Sequence, residues 1–180
     1  MKDEITECAK KNWKLVAGAV IAFFFLVFFR EMFFIALLLG LSVVVSLLAS
    51  KTKTKLIGVE LVTFSTVLVG YTHGPVWGCI AGVTLESINA LIISRWMRTY
   101  NVWVIPSFGL AGIAAGLNFG LPFATIGIII AIGLHVIYSV LSILLHGHLH
   151  PKYIFYAIFN IVINILLFTG FGAIALGFLS

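Results

Sequence analysis

Residues 74–86 read GPVWGCIAGVTLE, with glycines at 74, 78 and 82 and a glutamate at 86, all inside an apolar run. Four residues advance an α-helix by about 400° at about 3.6 residues per turn, so Gly74, Gly78, Gly82 and Glu86 share one stripe of a helix. Without side chains on that stripe a neighbouring backbone can come close and gather dispersion contacts along its length. A second stripe, Gly112, Gly116 and Gly120, is opened by Gly109. The two stripes are read as helix-packing positions, so the segments that carry them are expected to pack tightly, against each other or against another chain.

Glu86 continues the first stripe, with Thr84, Ser87 and Asn89 around it. A carboxylate at membrane depth costs about 2.5–3.5 kcal/mol, so it is expected to face protein rather than lipid. Three roles fit: a proton or cation site, a hydrogen bond to a polar ligand, or an ion pair with Arg95 or Arg98. Glu60, five residues after Lys55 and with Thr63 one turn on, is expected to have a structural role or to form an interfacial ion pair with Lys55.

The chain around this stretch is built for lipid. Of 180 residues 62% are hydrophobic and only 9% charged, with a mean hydropathy of +1.18. A soluble domain could not cover so much apolar surface with so few charges. Apolar runs fall at 15–29, 32–50, 56–72, 76–94, 102–118, 122–145 and 153–179. A helical crossing takes about 20 residues. The expected fold is an all-α polytopic transmembrane bundle with short loops and seven hydrophobic segments, six being the alternative. Residues 1–180 form a single transmembrane domain, with 1–13 as a polar N-terminal segment. Acidic residues at 3, 4 and 7 and the lack of a small-residue cleavage site argue against a signal peptide.

Charge chooses between the counts. With seven crossings the basic N-terminal segment, KTKTK at 51–55, RWMRTY at 95–100 and HGHLHPKY at 146–153 share one side, while the Arg30–Glu31 pair, THGP and NFGLP lie opposite. That is a positive-inside pattern with the N-terminus cytoplasmic in a multi-pass cell-membrane protein. The net charge of +5 is thereby assigned to topology and not to nucleic acid.

Further polar residues inside apolar runs are His135 with Tyr138, and Asn160 with Asn164 at helical spacing. Glu86, Asn89, His135, Asn160 and Asn164 are the candidate lining of an intramembrane ligand pocket. The histidines at 146, 148 and 150 lack the i, i+4 spacing of helical zinc sites and have no acidic neighbour, so no metal is expected. Cys8 and Cys79 form no CxxC pattern. No HExxH, GxSxG or phosphate-cradling GxxxxGKS/T motif occurs, so the chain is read as non-enzymatic, and no particular cofactor is indicated.

HGPVWGCIAGVTLESINALI at 73–92, IPSFGLAGIAAGL at 105–117 and FNIVIN at 159–164 together resemble the substrate-binding S-components of energy-coupling-factor transporters and the related MreD-type rod-shape scaffold proteins. Those families are small and almost loopless, with a Gly-Pro helix start, small residues at spacing four and an acidic residue near the end of that helix. They have six crossings with Gly-Pro on the cytoplasmic side, whereas the charge pattern here puts Gly74 and Pro75 outside; Gly18 and Ala22 are the counterpart of their Ala-x-x-x-Ala docking face. The resemblance implies a small-molecule-binding or transport subunit. The alternative is a non-catalytic scaffold subunit of a larger membrane assembly, using the glycine stripes as surfaces for other chains. Either way the expected partners are lipid and other membrane subunits or a second copy.

Overall fold

A computed structural model describes residues 17–18, 30–51, 61–92, 101–148 and 151–179. They form helices α1 (Arg30–Lys51), α2 (Val62–His73), α3 (Pro75–Ile92), α4 (Asn101–Gly116), α5 (Phe123–His146), α6 (Pro151–Leu166) and α7 (Gly172–Leu179), with a π-helical turn, Leu167–Phe171, between the last two. No strand occurs among the described residues. The run 15–29, apart from residues 17–18, lies outside them, as do Glu60, Arg95, Arg98 and Cys8.

Local chemistry sets the helix ends. Gly74 alone separates α2 from α3, at φ 88° and ψ 175°, and its N–H closes the last turn of α2 on Gly70 O at 2.8 Å. Pro75 then opens α3, where its missing N–H costs nothing. The same device opens α6 at Pro151. Gly147 ends α5 in the left-handed conformation, its N–H on Ile143 O at 2.8 Å. Gly74 lies in a region that essentially only glycine occupies, so Gly74→Ala is expected to cost about 1–3 kcal/mol, read as a lowered midpoint in thermal unfolding.

Contacts give each helix its direction. A Cβ on Gly78 would fall 2.6 Å from Gly70 Cα, and one on Gly82 would fall 2.8 Å from Thr66 Cγ2. Both pairs are equidistant from Gly74, so α2 and α3 form an antiparallel hairpin about that residue. Gly82 against Phe108, Gly78 against Gly112 and Pro75 against Gly116 make α4 antiparallel to α3. Gly127 against Phe168 and His135 against Asn160 make the α6–α7 leg antiparallel to α5. Ser42 bonded to Ser65 at 2.8 Å, with Leu38 packed by Phe64, Val67 and Leu68, runs α1 against α2. The legs therefore alternate, and Lys51, Val62, Ile92, Asn101, His146 and Pro151 stand at one end of the bundle.

The run expected as a third crossing, 56–72, yields a described helix of 12 residues, Val62–His73, and its first nine are buried on every face. α1, α3, α4, α5 and α7 all pack around it. An aromatic cluster, Phe64, Phe123, Phe168 and Tyr71, fills the end near Gly74.

The outside is apolar. Pro75–Ile92, Phe123–Leu145 and Tyr153–Leu179 are long and apolar enough to cross a membrane, while Phe33–Leu48 and Val102–Gly116 are shorter apolar helices. Ile129, Ile132, Val136, Ile137 and Val140 on α5, and Phe155, Ile158, Phe159 and Val162 on α6, are all exposed. In water such a surface would be an aggregation hazard; against hydrocarbon it is matched to its solvent.

Candidate functional site

The glycine stripes converge within the chain. A Cβ on Gly70 or Gly78 would overlap Gly112 O, one on Gly112 would overlap Gly78 O, and one on Gly82 would overlap Phe108 O. Backbone thus meets backbone where α2, α3 and α4 cross, and the stripe surfaces are covered by the chain's own helices. Gly74 and Gly120 stand at turns, and Gly74 still meets the other stripe, since a Cβ on Gly116 would fall 2.5 Å from the Gly74 carbonyl carbon. Cβ atoms on Gly74 and Gly120 would meet nothing within 4 Å, and both residues have positive φ, 88° and 72°. They are turn residues, required by backbone conformation. Gly70 was missing from the stripe although it continues the spacing of four backwards.

The candidate ligand residues fall into two hydrogen-bonded groups. In the first, Glu86 and Asn89, both 6% exposed, sit on the buried face of α3, and Asn89 Nδ2–H donates to Glu86 Oε2 at 3.1 Å. Asn89 also borders a narrow crevice with Ser42, Ser46, Val62, Leu85 and Ile88 that has no room for a water molecule. Ser42 and Ser46 form the inner stripe of α1, whose outer face carries Leu37, Leu41, Val44 and Leu48. Thr66, facing Gly82 one turn from Glu86, is fully buried, and its hydroxyl has no hydrogen-bond partner among the described residues.

The second group joins α5 to α6. His135 Nε2 lies 2.7 Å from Asn160 Oδ1, which also accepts from Asn164 Nδ2–H at 2.9 Å. An amide oxygen accepts only, so Nε2 carries the hydrogen, and Nδ1 accepts from the Tyr153 hydroxyl at 3.2 Å. The rings of Tyr138, Tyr153 and Tyr156 surround the imidazole at 6.0–6.3 Å between centroids. Asn160 and Asn164 are 1% and 0% exposed.

The two groups stand on different helices, Glu86 and Asn89 on α3, His135 on α5, and Asn160 and Asn164 on α6. α2 and α4 stand between α3 and α5, and α6 packs on α5 and the π-helical turn. Leu85 of α3 and Leu134 and Tyr138 of α5 belong to one apolar cluster with Val62, Val104 and Phe108. The serines of α1 and α2 that accompany Glu86 were missed; their signal was hydroxyls at spacing four, Ser42 and Ser46, in an otherwise aliphatic run. Among the described residues no three His, Cys, Asp or Glu side chains gather as a metal cluster. Compared with family models, curated proteins and solved structures, the chain matches none.

Proposed function

We propose that the chain is a multi-pass cell-membrane protein of seven crossings, N-terminus cytoplasmic, that binds a small ligand among its helices as a binding or transport subunit. One observation carries this reading: a buried carboxylate, Glu86, bonded to a buried amide, Asn89, beside serines of a neighbouring helix in a molecule whose outer surface is apolar. Leucine at position 86 would pack without the roughly 2.5–3.5 kcal/mol that a carboxylate costs there.

The alternating legs, with the apolar run 15–29 added, support the count of seven. Segments 51–55, 93–100 and 146–152 all adjoin helix ends on one side of the bundle, as a positive-inside orientation requires. The resemblance to S-components supports a binding subunit. The scaffold alternative is weakened because the stripes it was to use are occupied by the chain's own helices. Transport would draw its energy from a partner subunit or an ion gradient.

Native mass spectrometry of the protein extracted from its own membrane tests this. The expected result is a stoichiometric adduct on the wild type that is lost from a folded Glu86→Gln variant. A bare wild-type chain, or an adduct equally retained by the variant, would overturn the reading.

A further inference from the structure

The walls of the bundle that face lipid differ in height. α3 has 18 residues and α4 has 16, about 27 and 24 Å of helix at about 1.5 Å per residue. Arg95 and Arg98 lie between them in sequence and limit their apolar band on that side. The apolar stretches Phe123–Leu145 and Tyr153–Leu179 have 23 and 27 residues, about 35 and 40 Å. A hydrocarbon core is about 30 Å thick. The α3–α4 wall falls short of it, while the wall of α5, α6 and α7 exceeds it. Two tryptophans mark the short wall, Trp77 at 60% and Trp103 at 40% exposure. Gly82 faces Phe108 and Gly78 faces Gly112, so Trp103 stands level with Ser87, about 15 Å along the axis from Trp77. Side chains lean toward the N-terminus of their own helix, and α3 and α4 are antiparallel. The two indoles therefore diverge by up to about one turn each, to at most roughly 26 Å. Between these levels the wall carries Ile80, Val83 and Leu110, all exposed. It turns polar toward Trp103, where Thr84 is exposed and Ser107, level with it, donates to Trp103 O at 2.7 Å.

We propose that the α3–α4 wall holds a locally thinned bilayer, its partner being a collar of phospholipid whose headgroups draw in to the levels of Trp77 and Trp103. Tryptophan settles at headgroup depth because its ring is apolar and its N–H needs a polar neighbour. With the bilayer at full thickness here, one indole N–H would stand in hydrocarbon, where nothing outside the chain can accept from it. The long wall has a different remedy, since a helix longer than the core shortens its span by tilting. Tilting only lowers a wall that is already short, so the lipid must adjust to it. A helix of another chain is the competing occupant. Lipid is favoured because the glycines of α3 and α4 are turned toward each other, which leaves bulky Ile80, Val83 and Leu110 outward and no small-residue groove for a close helix contact. The inference does not depend on a ligand at Glu86.

The test is indole depth in the full chain. The protein has four tryptophans, and two variants keep either Trp77 or Trp103 with the other three changed to Phe, folding being checked by size exclusion. Each is reconstituted in phosphatidylcholine brominated either near the headgroup or at mid-chain. Both indoles are expected to be quenched at least about twofold more by the shallow bromines than by the deep ones. Stronger quenching of either indole by deep bromines would overturn the thinning, because that indole would then lie in hydrocarbon. No quenching of either would place a protein partner on the wall and overturn the lipid collar. A second measurement needs no tryptophan variant: thermal unfolding of the wild type in phosphatidylcholines of increasing chain length. The midpoint is expected to be highest in the shorter chains and to fall as they lengthen. Thr84→Leu with Ser107→Leu extends the apolar band and is expected to move that optimum to longer chains. A midpoint that rises with chain length or ignores it refutes the thinned collar.

Discussion

Gly112→Leu is expected to leave no folded protein. A bare Cβ at 112 would already overlap the carbonyl oxygen of Gly78 and sit 2.8 Å from Cys79 N. Gly78 cannot retreat, because its own Cβ direction ends 2.6 Å from Gly70 Cα on the central helix. A leucine must therefore part three backbones, not displace a flexible side chain. Overpacking a core by a few carbons ordinarily costs about 1–3 kcal/mol when side chains can shift. Here the loss extends to the whole α2–α3–α4 contact, against a total stability of about 5–15 kcal/mol. The readout is monodisperse yield in mild detergent, followed by thermal unfolding of whatever is recovered. Gly133→Ala is the control: its Cβ would meet nothing within 4 Å, and removing a helical glycine is expected to gain about 0.5–1 kcal/mol. A Gly112→Leu protein that melts like wild type would refute the close contact.

Asn160→Leu is expected to be the most damaging polar substitution, costing about 2–4 kcal/mol if the interrupted bonds follow the ordinary cost of orphaned buried groups. Asn160 Oδ1 serves two donors, His135 Nε2–H at 2.7 Å and Asn164 Nδ2–H at 2.9 Å, and both are buried. A typical interhelical bond in a membrane protein contributes only about 0.6 kcal/mol, so the larger loss comes from stranding the two donors. The double variant His135→Leu with Asn160→Leu separates these terms. It is expected to recover part of the loss, because the imidazole is no longer left unpaired. Unfolding in bicelles of the four-member cycle measures the coupling; strict additivity would show that His135 and Asn160 act independently.

The stripe at Gly78 and Gly82 and its counterpart at Gly112 and Gly116 could be read from spacing, because four-residue recurrence on a helix is a local property. Gly70 escaped because the helix breaks at Gly74, so the same spacing jumps from one helix to the next and returns on the opposite strand of a hairpin. Glu86 and Asn89 stood out by their cost in an apolar run. The companion serines did not, since an isolated hydroxyl that back-bonds to the turn before it is cheap anywhere in a helix. The joining of His135 to Asn160 spans a separation of 25 residues and depends on the α5–α6 register, which no local pattern encodes.

By itself the sequence determined that the chain is helical and apolar along its length, where its glycines make close contact cheap, and which few polar groups need partners. Only the tertiary structure decided that α2, rich in Ser and Thr, lies at the centre, and that the five candidate residues divide between two groups. The physical reason is that lipid and protein interior are alike in polarity. Outer and inner faces are then both apolar, hydrophobic periodicity cannot tell them apart, and the pairing of helices is settled by shape and hydrogen bonding among small and polar residues distant in the chain.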